Sequence, residues 1–404
     1  MKSIFLLLRN VWKYSLVVLK SSYKWLFIFF VLWVYRVSCM PADGGGIARG
    51  LQIATTFGLL FLAIRMRKNS ISSALFKSQM PNLTMTWYLL LALLSTAWSY
   101  VPMLSFFMAF EKLAFMVVLF AVFSQFHTFE NAERMFVYMM VGMLVFNGIA
   151  TRVAGYQTWI GHDLQQGSCA AMCFSYCCGE YLAKKTIDKN RYKMLKGAIL
   201  ISIFFLVIST SGGANASAAL GFGVALLVCG KFVWGMLLLL MGGTVYFFKD
   251  LGEDMFKFLM AGKSEGDIKS STGRTAIWEI VDELGAQKPY FGWGYAAMER
   301  YITDKGPMPL TDLHSNYYGS YGSTGLVGLA LLIIHHVSAI LYTFGKRLKP
   351  GYVGLLSAIC CGTLNGYSYG FLSGKTAIIT IVYFAVLMMA FIYSKVKVVK
   401  CQKS

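Results

Sequence analysis

Apolar runs close to membrane-spanning length recur through almost the whole chain, and they constrain the fold more than any other feature. They fall at residues 25–40, 48–64, 83–99, 103–125, 134–151, 164–182, 194–210, 214–230, 232–248, 317–344, 352–371 and 376–394. A helix needs about 20 apolar residues to cross ~30 Å of hydrocarbon, and most of these runs are near that length. The pattern predicts an all-α polytopic integral membrane protein with about 12 transmembrane helices. Composition agrees. With 57% hydrophobic and 14% charged residues, the chain is too apolar for a soluble domain that keeps a charged surface. The two halves show no internal repeat.

The formal net charge of +19 would point to nucleic acid in a soluble protein. Its placement gives a different answer. Lys2, Arg9, Lys13, Lys20 and Lys24 run through an amphipathic amino-terminal stretch. Further bases cluster at Arg65 and Arg67, at 184–196, at 346–349 and at 395–403, which alternate spans place on the same side as the amino terminus. Short turns on the opposite side, at 41–47, 99–102, 211–213 and 372–375, contribute only Lys375. The positive-inside rule then puts both termini in the cytoplasm, and the charge is a topology signal with no nucleic-acid partner implied.

One long segment is too polar for lipid. The expected organisation is spans one to nine in 1–248, an outer loop at 249–316, and spans ten to twelve with a basic tail in 317–404. The loop is net acidic. Within it Ile277, Trp278, Val281 and Leu284 fall at helical spacing after the cap candidates Ser271 and Thr272, and Gly285 with Pro289 ends the pattern. Leu251, Met255, Phe258 and Leu259 suggest an earlier amphipathic helix. No cysteine lies between Asp250 and Ser315, which excludes a disulfide framework there. Cys169, Cys173 and Cys177 at helical spacing read as small buried residues.

Four pieces of the sequence resemble the bacterial O-antigen ligase and O-antigen/exopolysaccharide polymerase superfamily. Ser95, Trp98 and Ser99 match a Ser-x-x-Trp-Ser signature at the outer end of an early span. Gly273-Arg274 with Trp278, then Pro289, Gly292 and Gly294, is similar to the family's loop motif. His314-Ser315 precedes Gly325 and Gly328 in the pattern His-[Asn/Ser/Gln]-x9-Gly-x-x-Gly. The twelve-span layout with one large outer loop also agrees. One departure stands out: the arginine that the family carries after a Thr/Ser pair on a middle span is absent from the stretch Ser209 to Ala214.

The resemblance implies transfer of a glycan from an undecaprenyl diphosphate donor to an acceptor sugar hydroxyl on the outer face. Partners are then the lipid-linked glycan, an acceptor glycan or lipid A-core, and membrane lipid. Such a reaction needs a cation against the departing diphosphate, a base for the acceptor proton and a groove for the lipid tail. Arg274 suits the first role, because a guanidinium stays charged and grips phosphate bidentately, and His314 suits the second. Arg152, Arg49 and Lys375 are candidates for the missing second cation. Asn316, Tyr317 and Trp278 are candidate substrate contacts. No cofactor is implied, and the loop's acids show no spaced metal-ligand set.

Blander readings stand beside these. Arg274 also suits an interfacial anchor, and His314 an ordinary helix entry. His335 and His336 read as packing residues within a span. His162 and Asp163 read as a solvated turn. Glu111 and Lys112 sit in a span, where a charge needs a polar partner. A transporter of the same lipid would show repeated halves, and a scaffold would not need the Arg and His of the loop. Between the two transferases, the loop motifs favour a repeat-unit polymerase, while the His-Ser-x9-Gly-x-x-Gly fit is compatible with a ligase.

Overall fold

In the computed structural model, the described residues are 22–40, 45–67, 69–76, 80–155, 163–183, 188–237, 274–306, 309–310 and 312–393. Their regular structure is entirely helical. The principal α-helices, in chain order, are α1 (Ser22–Cys39), α2 (Gly45–Met66), α3 (Asn82–Leu94), α4 (Pro102–Phe123), α5 (Phe129–Val153), α6 (Leu164–Ala183), α7 (Lys189–Ser209), α8 (Gly212–Val228), α9 (Arg274–Gln287), α10 (Met298–Lys305), α11 (Asn316–Gly345), α12 (Tyr352–Ser368) and α13 (Ile378–Ile392). Each expected apolar run other than 232–248 coincides with one of these helices. Most of 232–248, the segment 251–259 and the cap candidates Ser271 and Thr272 lie outside the described residues. Among those residues, five helices are long and apolar enough to cross a membrane: α2, α4, α5, α7 and α11. α3, α8, α13 and part of α1 are shorter apolar helices. The chain is a helical membrane protein.

The centre of the bundle is α13, which is buried on every side from Ile378 to Phe391. An α-helix that is apolar all round belongs inside a bundle, and this one packs on α4, α6 and α12. α4 is the most enclosed of the five long helices. Its two charges part company. Glu111 accepts hydrogen bonds from Trp33 Nε1 (2.9 Å), Gln52 Nε2 (2.9 Å) and Thr56 (3.3 Å) on α1 and α2. Lys112 turns the other way and donates to the carbonyl of Gly374 at 2.5 Å, with Thr376 at 3.5 Å.

At the expected cytoplasmic end, one buried arginine ties three helices. Arg191 on α7 pairs with Glu133 of α5 (2.5 Å) and Glu180 of α6 (2.7 Å), and Tyr176 donates to Glu133 (3.0 Å). Glu180 also accepts the N–H groups of Gly351 and Gly354 at the start of α12. Such a network fixes helix register, because removing one partner strands the others uncompensated in a low dielectric. The basic residues read as a topology signal therefore include one, Arg191, that is a buried clamp. His335 and His336 also serve packing: His335 Nε2 (2.9 Å) and His336 Nδ1 (3.2 Å) both meet the Tyr383 hydroxyl.

Candidate functional site

The outer-loop segment is held by a joint in which the three sequence signatures meet. α11 is interrupted at Gly325, whose φ of 67° and ψ of −166° lie outside the helical region. The break releases backbone groups that must find partners. Leu326 N–H donates to Pro289 (2.7 Å) and Val327 N–H to Tyr290 (3.3 Å), while the carbonyls of Gly322 and Ser323 accept from Trp293 (3.0 Å) and Gly294 (2.9 Å). A Cβ on Gly325 would sit 2.3 Å from the Tyr290 carbonyl carbon, so no side chain fits there. This is the physical content of the Pro-x-x-Gly-x-Gly and Gly-x-x-Gly patterns.

The Ser-x-x-Trp-Ser signature grips the same loop from the other side. Ser95 Oγ accepts from Tyr295 N–H (2.9 Å), Trp98 Nε1 donates to Phe291 (2.9 Å), and Tyr100 N–H donates to Trp293 (3.0 Å). Ser105 donates to the Tyr295 carbonyl (2.6 Å) and shares a 2.6 Å contact with Ser99. Gly294, at a φ of 104°, lies against Ser99 with no room for a Cβ. These motif residues build the platform.

On that platform, α9 carries the helical spacing of Ile277, Trp278, Val281 and Leu284 and buries Trp278, Val281 and Gly285. Val281 joins Met298, Ile302 and Leu313 in a small apolar core under the loop. Trp278 donates to the Leu313 carbonyl (3.1 Å) and stacks on Tyr318 at 4.7 Å. The loop then turns sharply at His314, whose φ of 53° is left-handed, a conformation histidine tolerates better than most residues. Asp312 Oδ1 holds the turn by accepting the His314 N–H at 2.9 Å, and Ser315 caps α11 through the N–H groups of Tyr317 and Tyr318.

His314 Nδ1 is buried, makes no hydrogen bond among the described residues, and faces Asp312 Oδ2 at 3.9 Å. Burial lowers the histidine pKa, Asp312 opposes this, and the charge of Arg274 lowers it further. The imidazole is therefore neutral, and able to accept a proton, at neutral pH. Burial raises the Asp312 carboxyl, while His314, Lys375 and Arg274 hold it down. Arg274 is pulled below its ordinary value by burial, with Asp312 opposing, and still carries its charge.

The turn 371–376 closes the site from below. Leu372 N–H donates to Asn316 Oδ1 (2.7 Å), Ser373 donates to the Ser315 carbonyl (3.2 Å), Tyr295 OH donates to the Leu372 carbonyl, and Lys112 holds Gly374. On this pinned turn Lys375 alone is exposed, and its charge bears on both Asp312 and Glu299. Glu299, at the start of α10, was missed by sequence reasoning because only the fold brings it to Gly374 and Asp312.

Of the residues singled out from the sequence, Arg274, His314 and Lys375 thus come together around Asp312. Asn316, Tyr317 and Trp278 surround them in supporting positions: Asn316 is buried against the turn, and Tyr317 OH donates to Thr363 (3.0 Å). Arg49 is exposed on α2 beside Arg36. Arg152 is buried near the end of α5, where it donates to Gln166 (2.5 Å) and the Gly148 carbonyl (2.9 Å). Asp163 caps α6 by accepting the Gln166 N–H (3.0 Å), and His162 lies outside the described residues. Next to the site, an apolar cavity of about 350 Å³ lies between α8, α11 and α12; Tyr317 and Tyr367 line it, and Tyr367 also packs on Trp278.

Fold and site together describe a helical membrane protein in which Arg274, Lys375 and His314 gather around Asp312, with an apolar cavity alongside. Residues 197–333, which include Arg274, Glu299, Asp312 and His314, match the family model described as O-antigen ligase. The match covers about a third of the chain, and its description agrees with the resemblance carried by the sequence motifs. No curated protein matches the chain.

Proposed function

We propose that the protein transfers a glycan from undecaprenyl diphosphate to an acceptor sugar hydroxyl at the outer face of the bacterial inner membrane, with both termini cytoplasmic, and that it polymerises polysaccharide repeat units. The observation that carries this reading is the meeting of Arg274 and the His314–Asp312 pair, all within the O-antigen ligase match, with Lys375 of the 371–376 turn. Neutral His314 accepts the acceptor proton, and Asp312 stabilises the imidazolium that forms. Arg274 and Lys375 face the diphosphate, which a guanidinium grips bidentately. Lys375 takes the place of the arginine missing after Ser211, since among Arg49, Arg152 and Lys375 it is the one whose charge reaches the Asp312 group. The apolar cavity beside Tyr317 receives part of the polyprenyl tail.

Attachment of the glycan to lipid A-core is the second reading, favoured by the description of the matching family as O-antigen ligase. A deletion strain separates the two on a gel of its surface glycan. Collapse of the ladder to a single repeat is expected for a polymerase. Long chains retained on the carrier lipid above a bare core would make the protein a ligase.

The chemistry assigned to the site uses side chains alone, so transfer by the purified protein is expected to survive EDTA. Loss of activity that added Mg²⁺ or Mn²⁺ restores would require a metal in the mechanism.

A further inference from the structure

Glu299 is a carboxylate without an evident structural task. Its Oε2 is buried and makes no hydrogen bond among the described residues, and its Oε1 lies against Gly374, 3.2 Å from where a Cβ would stand. The groups that could satisfy it are engaged or exposed. Lys112 of α4 is committed to Gly374 and Thr376, and Lys375 is turned to solvent. Tyr88 of α3 bonds Ser320 at 2.7 Å, and Tyr295 bonds the Leu372 carbonyl. The remaining charged neighbour is Asp312, which in turn faces the orphaned Nδ1 of His314. Both carboxylates lie against one turn, Asp312 Oδ1 2.9 Å from where a Cβ on Gly370 would stand and Glu299 Oε1 at Gly374, so the two buried polar atoms lacking partners among the described residues, His314 Nδ1 and Glu299 Oε2, share one cluster with Asp312.

We propose that Glu299 is the proton acceptor behind His314, reached through Asp312, and that the site discharges the acceptor's proton along His314, Asp312 and Glu299. The proposal rests on the transfer reaction proposed above. In that reaction the acceptor O–H bond breaks as its oxygen bonds the anomeric carbon, and the carbon–phosphate oxygen bond breaks with its electron pair leaving on the diphosphate. The single proton released goes to His314 Nε2. The imidazolium's Nδ1–H then faces Asp312, and the proton passes by way of that carboxylate to Glu299, from which water removes it. Glu299 does not touch the acceptor.

Burial raises the Glu299 carboxyl to about 7, its own N–H opposes this, Asp312 raises it further, and Lys375 and Lys112 lower it. A carboxylic acid of that strength exchanges its proton readily at neutral pH. Two measurements test the relay, using full-length protein in detergent or nanodiscs. In the pH profile of kcat, wild type is expected to lose activity on acidification in two steps, the first centred near pH 7, the second belonging to His314. Glu299→Gln should lack the first step and fall about 10²-fold in kcat with KM unchanged, and Glu299→Asp should retain the step. A Glu299→Gln profile that keeps the step near pH 7 would overturn the proposal, as would a change confined to KM.

Infrared titration of the same protein needs no substrate, so it separates failure of the relay from failure of the transferase reading. Wild type should show a protonated carboxyl band lost near pH 7, absent from Glu299→Gln and shifted to lower pH by Asp312→Asn, because the neighbouring negative charge is gone. Absence of that band in wild type, or its persistence in Glu299→Gln, sinks the relay even if transfer is observed. A normal titration with no transfer in wild type would instead remove the proposed reaction and leave Glu299 as a titrating group without this role.

Discussion

Arg274→Ala and His314→Ala are each expected to abolish glycan transfer while expression and membrane insertion stay normal. Loss of one preorganised group facing developing charge in a partly dehydrated site costs about 10²–10³ in rate, or roughly 3–4 kcal/mol. Arg274→Lys should recover little, because an ammonium lacks the bidentate fork. For His314 the pH dependence has a fixed sign. Burial and Arg274 outweigh Asp312 and lower its pKa, so the step of the profile that His314 governs lies at lower pH than an ordinary histidine's, on the acid side of the step assigned to Glu299. Removing the Arg274 charge withdraws one lowering influence, so any residual activity of Arg274→Lys, which keeps a charge, should decline at lower pH than that of Arg274→Ala. Activity near wild type in either alanine variant would remove that residue from the mechanism.

Gly325→Ala is expected to have a comparably large effect without touching the chemistry. Its φ and ψ belong to a region open essentially to glycine, which alone costs another residue about 1–3 kcal/mol. The added Cβ also strikes the Tyr290 carbonyl group, which is backbone and cannot swing aside. The joint between α11 and residues 289–294 should open, and limited proteolysis should then cut within residues 274–306 faster than in wild type. Gly142→Ala provides the control: nothing lies within 4 Å of its Cβ position in the interior of α5, so alanine there should be neutral or stabilising by about 0.5–1 kcal/mol. Equal protease resistance in Gly325→Ala and wild type would show that the joint does not hold the loop.

Apolar spacing made the spans and α9 legible, because a membrane helix or an amphipathic helix advertises its burial in a local period. Arg274 and His314 were legible for a different reason, as each sits in a short pattern whose neighbours have strict backbone requirements. Asp312 and Glu299 carried no such mark. Asp312 matters through a two-residue turn that places His314 in a left-handed conformation, and Glu299 through a contact with a turn some 75 residues later. Lys112 was visible as an ill-placed charge, but its partner is a backbone carbonyl, which no sequence pattern can identify. The break at Gly325 was hidden within an apolar run that reads as one uninterrupted span.

The joint between the Ser95–Ser99 segment and residues 290–295 also orders the assembly of the protein. Ser95 and the Trp98 indole leave the ribosome about 200 residues before the loop groups they bind, so the end of α3 waits while α4 to α8, among the described helices, are made and those bonds stay unmade. The pocket therefore cannot form domain by domain from the amino terminus. It closes only when α11 arrives, breaks at Gly325 and delivers its freed backbone groups to the loop, so a chain halted before α11 holds every early span yet has no site.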